Sequence, residues 1–274
     1  MSLPDPTPSS TALITGASAG IGGAVAHELA GRGHNLVLVA RGQERLQALA
    51  AGVEAAHGVR AEAIPLDLTR EQPRSRLPGQ IAKRGLEVEV LVNNAGFATG
   101  GPFHEADPPR EIQQVRLLVE AVVALTSAFL PAMVKRRRGA ILNVASTAGM
   151  QPMPYSAGYS AAKAYVLAFS EAIHQEVRGL GVTVTALAPG PVQTGFWETA
   201  GWQAAGRSFE SAFPRPAMIS AEEAARAGVR GLERGERVVV PGLPMRVGML
   251  ASRYVPHALK LPALELAMRP RDAR

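Results

Sequence analysis

Short apolar runs alternate with longer stretches of helical period along most of this chain. The runs "TALIT" (11–15), "NLVLVA" (35–40), "AEAIPL" (61–66), "VEVLVN" (88–93), "GAILNVA" (139–145), "VTVTAL" (182–187) and "RVVV" (237–240) predict strands. Several are rich in Val, Ile and Leu without strict alternation, the pattern of parallel strands covered on both faces. Helical periodicity fills the gaps over residues 20–32, 43–57, 72–84, 110–137, 158–179 and 221–234. Strand and helix in turn predict an α/β fold: one doubly wound, seven-stranded parallel sheet flanked by helices, over residues 11–242.

Three regions fall outside the alternation. Residues 1–10 are expected to be a disordered or vector-derived N-terminus; they carry no basic, then apolar, leader pattern. Residues 189–220 form a long insertion with Phe196, Trp197, Trp202, Phe209 and Phe213, five of the thirteen aromatics. Such long loops are mostly functional, and 191–220 is read as a substrate loop. After Gly242, Val247, Leu250, Tyr254 and Val255 recur at helical spacing, and Pro256 and Pro262 then break the run. Residues 243–274 are therefore expected to be short C-terminal helices extending the same domain.

Composition narrows the classes. With 47% hydrophobic and 19% charged residues, the chain has the make-up of a globular core. The absence of cysteine excludes disulfides, thiolate nucleophiles and thiolate metal sites. No apolar run is judged to approach the roughly 18 residues of a spanning helix, so no transmembrane segment and a cytoplasmic location are expected. The net charge of +6 is uneven: residues 243–274 carry six Lys/Arg and two acids, a net +4 that leaves +2 elsewhere. This basic, apolar-striped tail permits completion of the active pocket, docking on a partner subunit or peripheral contact with an acidic membrane. "KRRR" (135–138) reads as a solvated helix end, not a nucleic-acid footprint. The six histidines are scattered, so no metal site is expected, and no G-x-S-x-G elbow suggests a hydrolase.

Candidate chemistry starts at "TGASAGIG" (15–22), between the first strand and the first helix. Gly16, Gly20 and Gly22 allow a sharp turn and close approach to a pyrophosphate, and the helix N-terminus beyond offers N–H groups to that anion. The second strand ends in Ala40 and Arg41, where a carboxylate would bind a free ribose. A guanidinium there suits a 2′-phosphate, so NADP is expected in preference to NAD. In "YSAAK", Tyr159 and Lys163 lie four apart and share a helix face. A nearby ammonium lowers a phenol's pKa, which makes Tyr159 a candidate acid/base. Ser146 ends its strand at the edge where such sheets bind ligands, with a hydroxyl to hold a substrate oxygen.

"TGASAGIG", "NNAG" (93–96), Ser146 thirteen residues before Tyr159, "YSAAK" and "PGPVQTGF" (189–196) together resemble the short-chain dehydrogenase/reductases. The resemblance covers roughly residues 11–240. It implies a Rossmann-type fold, a nicotinamide-dependent oxidoreductase acting on CH–OH groups, and a homodimer or homotetramer. By position it implies that Ser146 orients substrate, Tyr159 is the acid/base, and Lys163 binds the nicotinamide ribose. It adds Ser18, Ala19 and Ile21 in the glycine loop, Asp67 and Leu68 at adenine, and Asn94, Ala95 and Gly96 beside the adenosine ribose. Pro189, Gly190, Val192 and Thr194 would meet the nicotinamide carboxamide. Phe196, Trp197 and Trp202 are expected to wall a site for a hydrophobic ketone, aldehyde or acyl carbonyl, or the matching alcohol.

One position departs from the resemblance. The helix after "NNAG" normally carries an asparagine whose main-chain carbonyl holds a relay water; here the matching residue in "QQVRLLVEAVVALT" is Leu118. A leucine lacks the amide that lets a helix bend around water. The expectation is a weakened relay, with turnover raised by Leu118→Asn. The alternative reading is a dinucleotide-binding regulatory or scaffold protein with weak or no turnover.

Overall fold

The computed structural model describes residues 3–194, Phe196, the backbone at 203–204 and 207–208, and residues 218–252 and 254–269. Strands β1 (Ser10–Thr15), β2 (Asn35–Ala40), β3 (Ala61–Pro65), β4 (Glu87–Asn93), β5 (Gly139–Val144) and β6 (Val182–Leu187) alternate with helices α1 (Gly20–Ala30), α2 (Gln43–His57), α3 (Glu71–Ala82), α4 (Pro108–Val115), α5 (Ala121–Lys135) and α6 (Ala157–Val177). A two-residue antiparallel pair, β7 (Gln203–Ala204) and β8 (Arg207–Ser208), lies in the insertion. Helix α7 (Ala221–Glu233), strand β9 (Val238–Val239), α8 (Leu243–Ser252) and α9 (His257–Met268) complete the order. The main sheet runs β3-β2-β1-β4-β5-β6-β9, with every pairing parallel.

Period-two side-chain alternation divides the core between the two faces of this sheet. Ala12, Ile14, Leu36, Leu38, Val92 and Leu142 pack with Leu29, Leu46 and Val229 of α1, α2 and α7. Their neighbours Leu13, Val37, Val39, Leu91 and Ile141 pack with Leu77, Leu125, Met133 and Ile173 of α3, α5 and α6. A one-residue slip of any strand would exchange these faces, which fixes the register. The strand order reverses between β1 and β4, and the loops leaving β1, β4, β5 and β6 open at one edge. That reversal is where doubly wound sheets form a ligand crevice.

Two expectations meet a different outcome. Residues 3–9 run against the sheet: Pro4 is buried, Leu3 packs on the core, and the Asn35 amide donates to the Pro8 carbonyl at 3.1 Å. The run Pro108–Lys135 also contains an 18-residue window of mean hydropathy 2.1, long and apolar enough by composition to cross a membrane. Here α5 lays Ala121, Leu125, Phe129 and Met133 on the sheet, so part of that apolar content is core. Three of the four "KRRR" cations are tied back to the fold: Arg136 pairs with Glu87 at 2.9 Å, Arg138 with Glu89 at 2.8 Å, and Arg137 donates to the Gly179 carbonyl.

Candidate active site

A cleft of about 730 Å³ runs along the C-terminal edge of the sheet from Arg41 at one end to Phe196 at the other. At its centre the glycine loop turns through two left-handed residues, Gly16 (φ 64°) and Gly20 (φ 57°), conformations that glycine adopts without a Cβ penalty. Helix α1 then starts without a side-chain cap, so its first N–H groups remain available to an anion. The loop is stitched from below. The Asn94 amide donates to the carbonyls of Thr15 (2.9 Å) and Gly16 (3.1 Å), and Thr15 Oγ1 accepts from the backbone N–H groups of Asn94 and Ala95. Gly22 does not line the cleft. A Cβ there would stand 2.4 Å from both Asn94 Nδ2 and the Gly16 carbonyl, so this glycine permits the close packing of helix on loop. Gly22→Ala is expected to weaken dinucleotide binding about tenfold or more, since an extra methyl in a filled site costs about 1–3 kcal/mol. Fluorescence titration with NADPH checks this.

Ser18, Ala19, Gly20 and Ile21 of the loop line the cleft with Arg41, Asp67 and Leu68. Asn94, Ala95 and Gly96 follow from β4, and Pro189, Gly190, Val192 and Thr194 from β6. Asp67 is not a helix cap; its carboxylate accepts from the Thr69 N–H (3.0 Å) and hydroxyl (2.7 Å) in a local turn. Asn93 belongs to the core: its amide donates to Asn143 at 2.8 Å, and Asn143 donates to Ser170, tying β4, β5 and α6 together. Trp197, Trp202, Phe209 and Phe213 lie outside the described residues. Sequence reasoning missed Arg45, which lines the same end of the cleft as Arg41. The signal was available: a second arginine follows four residues after Arg41, in the first turn of α2.

Ser146, Tyr159 and Lys163 come together at the deep end of the cleft. Ser146 caps a 3₁₀ turn, Thr147–Met150, accepting the Ala148 N–H at 3.1 Å, and it also hydrogen-bonds the Tyr159 phenol. One helical turn separates Tyr159 from Lys163, and Lys163 Nζ lies 5.7 Å from the phenol ring centroid. The ammonium donates to the Val144 carbonyl at 2.7 Å, the last residue of β5. Both groups are buried. Burial pushes the Tyr159 phenol up to about 12, with the Ser146 hydrogen bond pulling the other way, and burial pushes Lys163 down to about 8.

Behind Tyr159 stands an apolar cluster of Ala98, Leu118, Ala148, Met153, Ala162 and Met268, with Phe196 against it. The Tyr159 and Phe196 ring centroids are 5.8 Å apart. Leu118 is buried, and a Cβ on Gly96 would meet its Cδ2 at 2.8 Å. The helix opens at this point into a π turn, Arg116–Glu120, between α4 and α5. The backbone therefore widens without any side-chain amide, in the kind of bulge that frequently marks functional sites. Leu118→Asn is then expected to raise turnover by less than about tenfold, well short of a positioned proton-transfer group. Burying its amide among apolar neighbours should cost about 1–3 kcal/mol of stability. Steady-state kinetics and denaturant unfolding on one preparation check both.

Residues 10–204 match the family described as short chain dehydrogenase. The 17-beta-hydroxysteroid dehydrogenase type 3 of Rattus norvegicus is 40% identical over 185 residues, 67% of this chain and 60% of the relative. The very-long-chain 3-oxoacyl-CoA reductase of Bos taurus is 36% identical over 187 residues, 67% of this chain and 59% of the relative. The matches thus span about 60% of the length of these curated relatives. Among solved structures, a short-chain dehydrogenase from Sphingobium yanoikuyae in complex with NADPH is 33% identical with a TM-score of 0.78, covering 97% of this chain and 98% of that one. The bulky-bulky ketone specific alcohol dehydrogenase from Comamonas testosteroni is 28% identical with a TM-score of 0.74, covering 100% of this chain and 97% of that one.

Proposed function

The chain belongs to the short-chain dehydrogenase/reductase family, and from that premise we propose that it is an NADP(H)-dependent oxidoreductase interconverting a bulky hydrophobic ketone and its alcohol. One observation carries the reading: Ser146, Tyr159 and Lys163 converge where a glycine-lined, cation-rimmed cleft meets an apolar cluster. The uncapped N-terminus of α1 and the Gly16–Gly20 turn suit a pyrophosphate, and Arg41 with Arg45 suits a 2′-phosphate. When bound, NADPH supplies the hydride. The Sphingobium neighbour binds NADPH, and the named relatives act on steroid, acyl or bulky ketone carbons, which supports the cofactor and the substrate class.

The chain's own residues divide the remaining work. Ser146 donates a hydrogen bond to the substrate carbonyl and holds it beside the phenol. Tyr159 gives its proton to the oxygen as negative charge develops there, and takes it back in the reverse direction. Lys163, fixed by the Val144 carbonyl, keeps a positive charge next to that phenol. The apolar wall excludes water and accepts the carbonyl's substituents.

The test is NADPH oxidation followed by absorbance with a panel of ketones of increasing bulk. The expected result is consumption with apolar ketones and faster turnover with NADPH than with NADH. The buried Leu118 at the relay position favours a second reading, a dinucleotide-binding scaffold. Tight NADPH binding without consumption across the panel would establish that one instead.

A further inference from the structure

The C-terminal helices pack beside the substrate end of the cleft, α8 against Gly190 and α9 against the cluster that holds Tyr159. On α8, Met245 covers Gly190, where a Cβ would stand 2.7 Å from its Cε, and the Ser252 hydroxyl donates to Gln151 Oε1 at 3.1 Å. On α9, Glu265 accepts the Tyr155 hydroxyl at 2.8 Å and is gripped by Arg269 at 2.8 Å. One turn from Glu265, Met268 is 6% exposed and sits in the cluster that contains Tyr159. Tyr155 adopts φ 61°, a left-handed conformation that costs a bulky residue strain energy. Its neighbours offset that cost by fixing its ring toward α9, and the Gly101 N–H holds its carbonyl at 2.9 Å.

We propose that α9 is the specificity wall of the active site. Met268 meets the substituent that extends from the substrate carbonyl past Tyr159, and the Tyr155–Glu265–Arg269 latch sets where that wall stands. The inference deepens the carbonyl-reductase reading and rests on it. Methionine suits the task, because an unbranched thioether repacks around apolar groups of different shape. Among the described residues, the side chains of Glu265 and Met268 tie α9 to Tyr155 and to the Tyr159 cluster. The latch therefore acts on substrate fit, and none of its three residues lines the phosphate end of the cleft. Tyr155, Glu265 and Arg269 are positioning residues, and Met268 is the group that touches substrate.

The experiment uses the full chain with Met268→Ala, Met268→Trp, Glu265→Ala and Glu265→Gln. Kinetics on the ketone panel are paired with displacement of Nile red from the apolar cleft by the same ketones, which needs no turnover. Met268→Ala should raise kcat/KM for the bulkiest ketones relative to the smallest about tenfold, and Met268→Trp should lower it by a similar factor, the range that hydrophobic pocket fit commands. Glu265→Ala should raise KM for bulky ketones with kcat and NADPH affinity little changed. Glu265→Gln, which keeps an acceptor for Tyr155, should recover part of that loss. Displacement constants should move in the same directions. If the Met268 variants bind NADPH normally yet change neither the ketone ranking nor the displacement constants, α9 is not the wall. If Met268→Trp dislodges the helix, Met268→Ala alone decides. A wild-type protein that binds NADPH and reduces no ketone overturns the functional reading, while the displacement series still judges the wall.

Discussion

Replacing Tyr159 by phenylalanine is expected to lower kcat about 10²- to 10⁴-fold, the contribution of a positioned proton-transfer group, with NADPH affinity nearly unchanged. The buried setting shows why this hydroxyl matters so much. Burial holds the phenol up to about 12, so bringing it near neutrality asks for about 7 kcal/mol of preference for the phenolate. Lys163, whose Nζ lies 5.7 Å from the ring centroid, acts in that direction. The value of about 12 already includes the pull of the Ser146 hydrogen bond, so the remainder falls to positive charge on the cleft side. Lys163 is itself pushed down to about 8 by burial, so it stays mostly charged at neutral pH. Reduction needs the protonated phenol, so its rate should fall as pH rises through the phenol's pKa in the working complex. Oxidation needs the phenolate and should rise over the same range. Stopped-flow kinetics of wild type and Tyr159→Phe across pH check the assignment; a variant that keeps both the rate and the pH profile would remove Tyr159 from the chemistry.

How much of this was legible in the sequence depended on how local each signal is. The strands could be read because buried parallel strands are uniformly apolar, and their predicted limits fall within one or two residues of β1 to β6 and β9. The cleft could be read because it is built from loops at strand ends, where glycine, asparagine and proline serve backbone needs that leave a sequence trace. The contacts between distant segments left no such trace. Tyr155 meets Glu265 across 110 residues, and neither sequence neighbourhood announces the other. The tail's sequence permits three destinies because its charge and apolar stripe describe its outer face: Leu243, Val247, Leu250 and Leu259 are all more than half exposed. Met268 and Glu265, which reach inward, belong to no stripe. The π turn at Leu118 was hidden for another reason. It is a backbone rearrangement, and reasoning from side chains assigned the bend to an amide that this chain does without.

Arg41→Asp is expected to reverse the cofactor preference, lowering the NADPH-to-NADH ratio of kcat/KM by about 10²-fold or more. Arg41 follows the last residue of β2 and stands at the rim of the cleft, with Arg45 in the first turn of α2. A hydrogen bond between a guanidinium and a phosphate contributes about 1.5–3 kcal/mol, or about ten- to a hundredfold in affinity. Removing it penalises NADPH alone. The introduced carboxylate adds repulsion toward the 2′-phosphate and accepts the free ribose hydroxyls of NADH, so both arms of the ratio move the same way. Arg41→Ala separates these effects, since it loses the attraction without adding the repulsion, and should move the ratio about tenfold. Arg45→Ala should give a smaller shift of the same sign if the two cations share one phosphate. Because both arginines are exposed, added salt should erode the NADPH preference of wild type and leave the NADH rate of Arg41→Asp almost constant. A ratio that Arg41→Asp leaves in place would mean that the cleft reads the ribose elsewhere, and Arg45 and the loop after β3 would be the next groups to change.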